Sequence, residues 1–256
     1  MKRFKKSSKM LWFILAFTLA ISASLGVAIC LRFELAHSPT APEEVISQVK
    51  PVVVIPLFDK LQFSTTDPTS VWIVTNKQHP LSPINFAPNN LITVNGATIS
   101  DKAVTDFEAM LAAAAAESVT LTPKSSYRSY AAQNTLYNNY VAANGQIATD
   151  TFSARPGYSE HQTSLAIDFG SVNNSSCNFD DCYAATAEGK WLATHANEYG
   201  FILRYTAEKQ QITGFKNEPW HYRYIGRELA AEMKKQSITT LEEFFGVSGG
   251  GIYLQQ

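Results

Sequence analysis

Residues 11–31 are 21 consecutive positions without a charged side chain, and Lys2, Arg3, Lys5, Lys6 and Lys9 precede them. As a helix rising 1.5 Å per residue, such a run is about 30 Å long, the thickness of a bilayer's hydrocarbon core. A cleaved signal peptide needs an apolar stretch of only about 7–15 residues, so the length favours a retained single-pass anchor. Two alternatives stay open. The small residues Ser22, Ala23 and Ser24 could form a cleavage site, and Cys30 could carry a lipid, although Ile29 stands where lipoprotein signals want a small residue. The basic flank places residues 1–10 in the cytoplasm and everything after about residue 32 outside it. No second apolar stretch of this length occurs.

The net charge of the 256 residues is −1, and the five cations at the N-terminus leave the remainder at −6. That balance offers no basic footprint for nucleic acid. Hydrophobic residues make up 45% and charged residues 17%, an ordinary globular composition that excludes general disorder. Cys177 and Cys182 bracket Asn-Phe-Asp-Asp, which is not the two-residue spacing of a zinc knuckle or a thioredoxin motif. Outside the cytoplasm a small disulfide loop is the natural reading, with two free thiols as the alternative.

Beyond the span, residues 32–50 carry Pro39, Pro42, Glu43 and Glu44 and read as a tether. The apolar run inside residues 51–56 is bracketed by prolines and reads as an edge or extended segment. It opens an accessory stretch to residue 84 that is rich in turn formers. A helix is expected over 101–116 with Ser100 or Asp101 as N-cap, then a strand over 119–122. A second helix runs from Ser129 or Tyr130 to about Ala143, ahead of Asn144-Gly145. Residues 165–169 form a strand, and 189–199 a helix closed by Gly200. Strands follow over 201–205 and 220–225, then a helix over 227–235 and a loose tail over 248–256. Strands and helices mix without a βαβ rhythm, so the expected class is α+β with a central antiparallel sheet flanked by helices.

Of the five histidines, His37, His79 and His195 read as surface or packing residues. His161 and His221 keep richer company, with Asp168 seven positions after the first and Glu218 three before the second. Two imidazoles and a carboxylate suit Zn²⁺, which in a catalytic site keeps one position open for water. Spacing alone does not separate this set from ordinary polar residues. Glu218 beside such a site could take a proton from bound water and pass it to a leaving amine; otherwise it is a solvated loop acid. Arg128 sits where a strand meets a helix. It could bind a carboxylate or polarise a carbonyl, or form a surface ion pair.

Several motifs in order carry a resemblance. Ser159-Glu-His161-Gln-Thr-Ser164-Leu-Ala166-Ile-Asp168 is similar to Ser-x-His-x-x-Gly-x-Ala-x-Asp, and Glu218-Pro-Trp220-His221 to Glu-x-x-His with a Trp before the His. Ser125-Ser126-Tyr127-Arg128-Ser129 resembles Ser-Gly-Tyr-Arg-Ser. Gly189-Lys-Trp-Leu and Tyr199-Gly-Phe-Ile-Leu-Arg-Tyr205 fit the same pattern. Residues 85–247 thus resemble the VanY-type peptidoglycan carboxypeptidases, the zinc D,D- and L,D-carboxypeptidases that share the hedgehog/DD-peptidase fold. The resemblance implies His161, Asp168 and His221 as zinc ligands and Glu218 as general base and then acid. It implies Arg128 as oxyanion or substrate partner, and Gln133, Ser153 and Tyr205 as substrate-pocket residues of the L,D branch. The implied partner is a peptidoglycan stem peptide. The implied place is the bacterial cell membrane, with the catalytic domain on the extracytoplasmic side. Ser164 departs from the pattern where it has Gly, so any need for positive φ there would strain the loop beside the metal.

Overall fold

Where a strand ends in a residue that can cap the next element, the chain turns without wasted length. Ser100 does this, closing strand β2 (Ala97–Ser100) and accepting the Lys102 amide to start helix α1 (Asp101–Ala116). A computed structural model describes residues 57–254. The expected span at 11–31, the tether at 32–50 and the segment at 51–56 lie outside the described residues, as do Cys30 and His37. Among the described residues no helix is long and apolar enough to cross a membrane.

Strand β1 (Leu91–Val94) pairs with β2 through a hairpin at Asn95-Gly96, both at positive φ as a tight hairpin turn requires. Helix α1 buries Ala103, Phe107, Met110 and Ala114, one stripe of a helical repeat. Helix α2 (Tyr130–Asn144) starts on the Ser129 cap and stops at Gly145, close to expectation. The expected strand at 119–122 instead lies at β3 (Thr122–Ser125). Residues 118–119 are spent closing α1, where Ser118 turns at φ 63 and the Val119 amide reaches back to Ala114. Pro123 is tolerated because β3 is an edge strand.

The main sheet has the order β3–β4–β6–β5, with β4 at Ala166–Gly170, β5 at Phe201–Leu203 and β6 at His221–Tyr224; its pairs are all antiparallel. Short helix α3 (Gln146–Thr149) follows α2. Helix α4 (Ala187–His195) begins earlier than expected because Thr186 caps it, and the chain tightens into a 3-10 turn before Gly200. Helices α5 (Gln210–Thr213), α6 (Arg227–Gln236) and α7 (Leu241–Phe245) complete the described elements. The stretch 57–84 forms no named strand or helix, yet Trp72 and Val74 are buried in one cluster with Leu229, Met233 and Phe244. The C-terminal stretch is not loose: Tyr253 is buried, its ring edge meets Tyr158, and the Leu254 amide donates to the Lys77 carbonyl.

A buried ionic network joins these parts. Glu160 Oε1 accepts from Arg204 Nε and Arg223 Nη1, each at 2.8 Å. Arg204 also grips Glu242 with both terminal nitrogens, at 2.8 and 2.7 Å, and Glu242 takes a bond from Asn76. Burial pushes the Glu242 carboxyl up, but Arg204 outweighs it and holds the group below its ordinary 4.5. A depressed carboxylate gives stability that is complete above about pH 4.5 and lost as pH falls through the lower folded value. Glu242→Gln is expected to cost about 3–5 kcal/mol near neutral pH, because it leaves buried Arg204 short of charge. It should also flatten the acid limb. Denaturant titrations across the pH range check both.

Candidate active site

Sheet register places two of the expected ligands. Asp168 on β4 lies directly opposite His221 on β6, so both side chains leave the same face about 5 Å apart at Cβ. His161 comes from the 3-10 turn Glu160–Thr163 that leads into β4. Ser164 turns the chain there at φ 62, ψ 18. The position does require the left-handed conformation that glycine adopts freely, and Ser164 meets it while its hydroxyl bonds to the Thr163 carbonyl.

These elements bring His161 Nε2 to 3.1 Å from Asp168 Oδ2 and His221 Nδ1 to 2.9 Å from Asp168 Oδ1. The three donor atoms lie within 4.8 Å of one another, and all three residues are buried. The far nitrogens are occupied: His161 Nδ1 meets the Ser126 carbonyl at 2.7 Å and His221 Nε2 meets Glu160 Oε2 at 3.4 Å. Such outer partners fix which nitrogen faces a metal. Asp168 Oδ1 is buried and, although His221 Nδ1 lies beside it, accepts no well-formed hydrogen bond; an acceptor left so needs a cation or a donor. Oxygen and imidazole donors at this spacing fit Zn²⁺.

Burial and the neighbouring charges set the protonation of each group. Burial opposes ionisation of Asp168, but the two imidazoles hold its carboxyl well below the usual range. Burial pulls His161 down, toward the neutral form a ligand needs. Burial pulls on His221 too, but the carboxylates of Asp168 and Glu160 beside it prevail and push it up to about 9, so a metal on Nδ1 would have to displace a proton. Glu218 stands in the turn before β6, its Oε2 at 3.8 Å from His221 Nδ1, and burial pushes it up to about 8. Arg128 donates to Gln133 Oε1 and Ser125 Oγ, each at 2.8 Å, with Nη2 at 3.8 Å from Asp168.

All the expected site residues line one cavity of about 490 Å³: His161, Asp168, His221, Glu218, Arg128, Gln133, Ser153 and Tyr205. Gln133 is fixed by the Ala154 carbonyl and Tyr205 packs near the His221 ring. Cys177 and Cys182 form a disulfide. His79 and His195 lie elsewhere, beside Ser248 and Trp191. Sequence reading passed over Glu160, whose signal lay only in its place beside His161, and over Phe179, Phe152 and Lys216 of the cavity wall.

A metal on these donors would keep a face toward the cavity, which is how hydrolytic rather than structural zinc sites are built. Fold and site therefore define a metallohydrolase. Residues 96–227 match the family of VanY, D-alanyl-D-alanine carboxypeptidase, and the chain belongs to that family. It is 35% identical to the putative carboxypeptidase YodJ of Bacillus subtilis strain 168 over 70% of this chain and 68% of that one. The LdcB LD-carboxypeptidase matches in structure with TM-score 0.64 at 34% identity, covering 71% of this chain and 88% of that one. A variant of the vancomycin-resistance D,D-pentapeptidase VanY, solved in complex with Zn(II), matches with TM-score 0.59 at 32% identity, covering 68% and 98%.

Glu160→Gln is expected to lower stability by about 3 kcal/mol or more, because Arg204 and Arg223 lose their shared buried charge. It should also weaken zinc binding about 10–100-fold through loss of the His221 partner. Chelator-competition titration on the folded fraction separates the second effect from the first.

Proposed function

We propose that this protein is a zinc carboxypeptidase that removes the terminal D-alanine from D-Ala-D-Ala-ended peptidoglycan stem peptides. It would work at the extracytoplasmic face of a bacterial membrane, held by the segment at 11–31. The observation that carries this reading is the convergence of His161, Asp168 and His221 with Glu218 in one cavity.

His161 Nε2, one Asp168 oxygen and His221 Nδ1 would hold the ion. Zinc there supplies a Lewis acid and a water acidic enough to lose its proton near neutral pH. Glu218 is the proton carrier. With burial foremost and the Asp168 carboxylate pushing it up to about 8, it lies close enough to neutrality both to accept a proton and to return it to the departing amine. Arg128, its guanidinium fixed by Ser125 and Gln133, holds a cation at the cavity wall, where it can bear on a developing oxyanion or a substrate carboxylate. The Ser126 carbonyl, on His161 Nδ1, and Glu160, on His221 Nε2, keep the imidazoles in their working orientation.

A second reading, L,D-carboxypeptidase action on tetrapeptide stems, is favoured by Gln133, Ser153 and Tyr205. They occupy the cavity together, and the LdcB enzyme is a structural neighbour. Both readings share metal, base and leaving group and differ in the residue before the scissile bond.

Incubation of zinc-loaded protein with stem pentapeptide and tetrapeptide, read by mass spectrometry, decides between them. Loss of one alanine from the pentapeptide alone supports the first, and cleavage of only the tetrapeptide the second. Chelation should abolish turnover, and Glu218→Ala should lower kcat by about 10²–10⁴-fold with zinc content unchanged. Full turnover in metal-free protein would sink both readings.

A further inference from the structure

Phe179 lines the cavity in a position that neither packing nor backbone preference explains. Its φ is 61, and the residue is 49% exposed. A bulky side chain rarely adopts that conformation, and an exposed ring gains little from burial. Backbone strain of this kind persists only where the surroundings over-determine it, and it clusters at ligand sites.

The surroundings here do over-determine it. Phe179 sits within the loop closed by Cys177 and Cys182. Next to it, the Asn178 side chain accepts from the Ser171 amide at 2.8 Å, and Asp180 Oδ1 accepts from the Cys182 amide at 3.0 Å. Asp181 accepts from Asn217, the neighbour of Glu218, at 2.8 Å. The Phe179 ring meets Trp220 edge-on at 6.1 Å. The loop is thus tied to the segment that carries Glu218 and His221.

We propose that Phe179 is a specificity-determining residue that packs against the part of the stem peptide upstream of the scissile bond, and that the disulfide loop holds it there. The inference rests on the stem-peptide reading above. Arg128, Gln133 and Ser125 form one bonded polar set, chemistry suited to a free carboxylate end. Phe179 and Trp220 offer hydrocarbon instead, chemistry suited to an aliphatic side chain that the product retains.

The test compares Phe179→Ala, Phe179→Leu, the Cys177→Ser/Cys182→Ser double variant and a triple variant that joins the two cysteine changes to Phe179→Ala. Each is zinc-loaded and assayed on the stem peptide that the parent cleaves and on an acylated dipeptide with the same scissile bond. Phe179→Ala is expected to raise KM for the stem peptide about five- to tenfold with kcat within about twofold, and to leave KM for the dipeptide unmoved. Phe179→Leu should recover most of the affinity. The double cysteine variant should reproduce the KM rise, and the combined variant should add little. An unchanged KM in Phe179→Ala, or a loss confined to kcat, overturns the inference. If the parent cleaves no stem peptide, the functional reading fails instead. Calorimetry of stem peptide on zinc-loaded Glu218→Ala protein, with and without Phe179→Ala, then decides the inference by the same ratio in Kd.

Discussion

A carboxylate with no access to water stays ionised only when cations of fixed position surround it. Glu160 meets that condition with Arg204 and Arg223, and its neighbour in sequence is a metal-ligand candidate, His161. One oxygen takes both arginines and the other faces His221. The carboxylate sits in the turn ahead of β4, Arg204 directly follows β5, and Arg223 and His221 both lie on β6. Arg223 also donates to the carbonyls of Val71 and Ile73, and Arg204 to Glu242 on α7. The irregular stretch at 57–84 and the C-terminal helices are therefore bolted to the back of the site by charge, and the ligand face inherits their rigidity.

In front of that network, placement becomes a matter of register. Asp168 and His221 oppose one another across β4 and β6, and a slip of one residue would turn each to the other face. Ser125 on β3 is paired with the same Asp168, which sets the strand end from which Arg128 departs. The turn that starts β6, with the His221 amide on the Glu218 carbonyl, then leaves Glu218 beside the ligands without making it one.

The sequence made the helices legible where local chemistry decides them. Ser100 and Ser129 cap, Gly145 and Gly200 stop, and the α1 stripe repeats at helical spacing. Strand β3 was misplaced because what fixes it is pairing with β4, which no local pattern around Pro123 announces. The order of the C-terminal stretch up to Leu254 is not legible locally, because Gly249-Gly250-Gly251 looks loose, while the contact that orders it is Tyr253 against residues far away in sequence. Motif order made legible which residues meet in one cavity, His161, Asp168, His221 and Glu218 among them. Glu160 was not, since its role depends on arginines more than 40 positions downstream.

The two sides of the cavity hold their shape by different means, and the difference follows from burial. The ligand side lies deep enough for charge pairs and strand pairing to act at full strength. The 177–182 loop is mostly exposed apart from Cys177, so it cannot bury enough apolar surface to fix itself. A covalent closure substitutes, acting mainly by restricting the open forms of the loop. That solution is durable only in an oxidising compartment. The extracytoplasmic location proposed above would supply such a compartment.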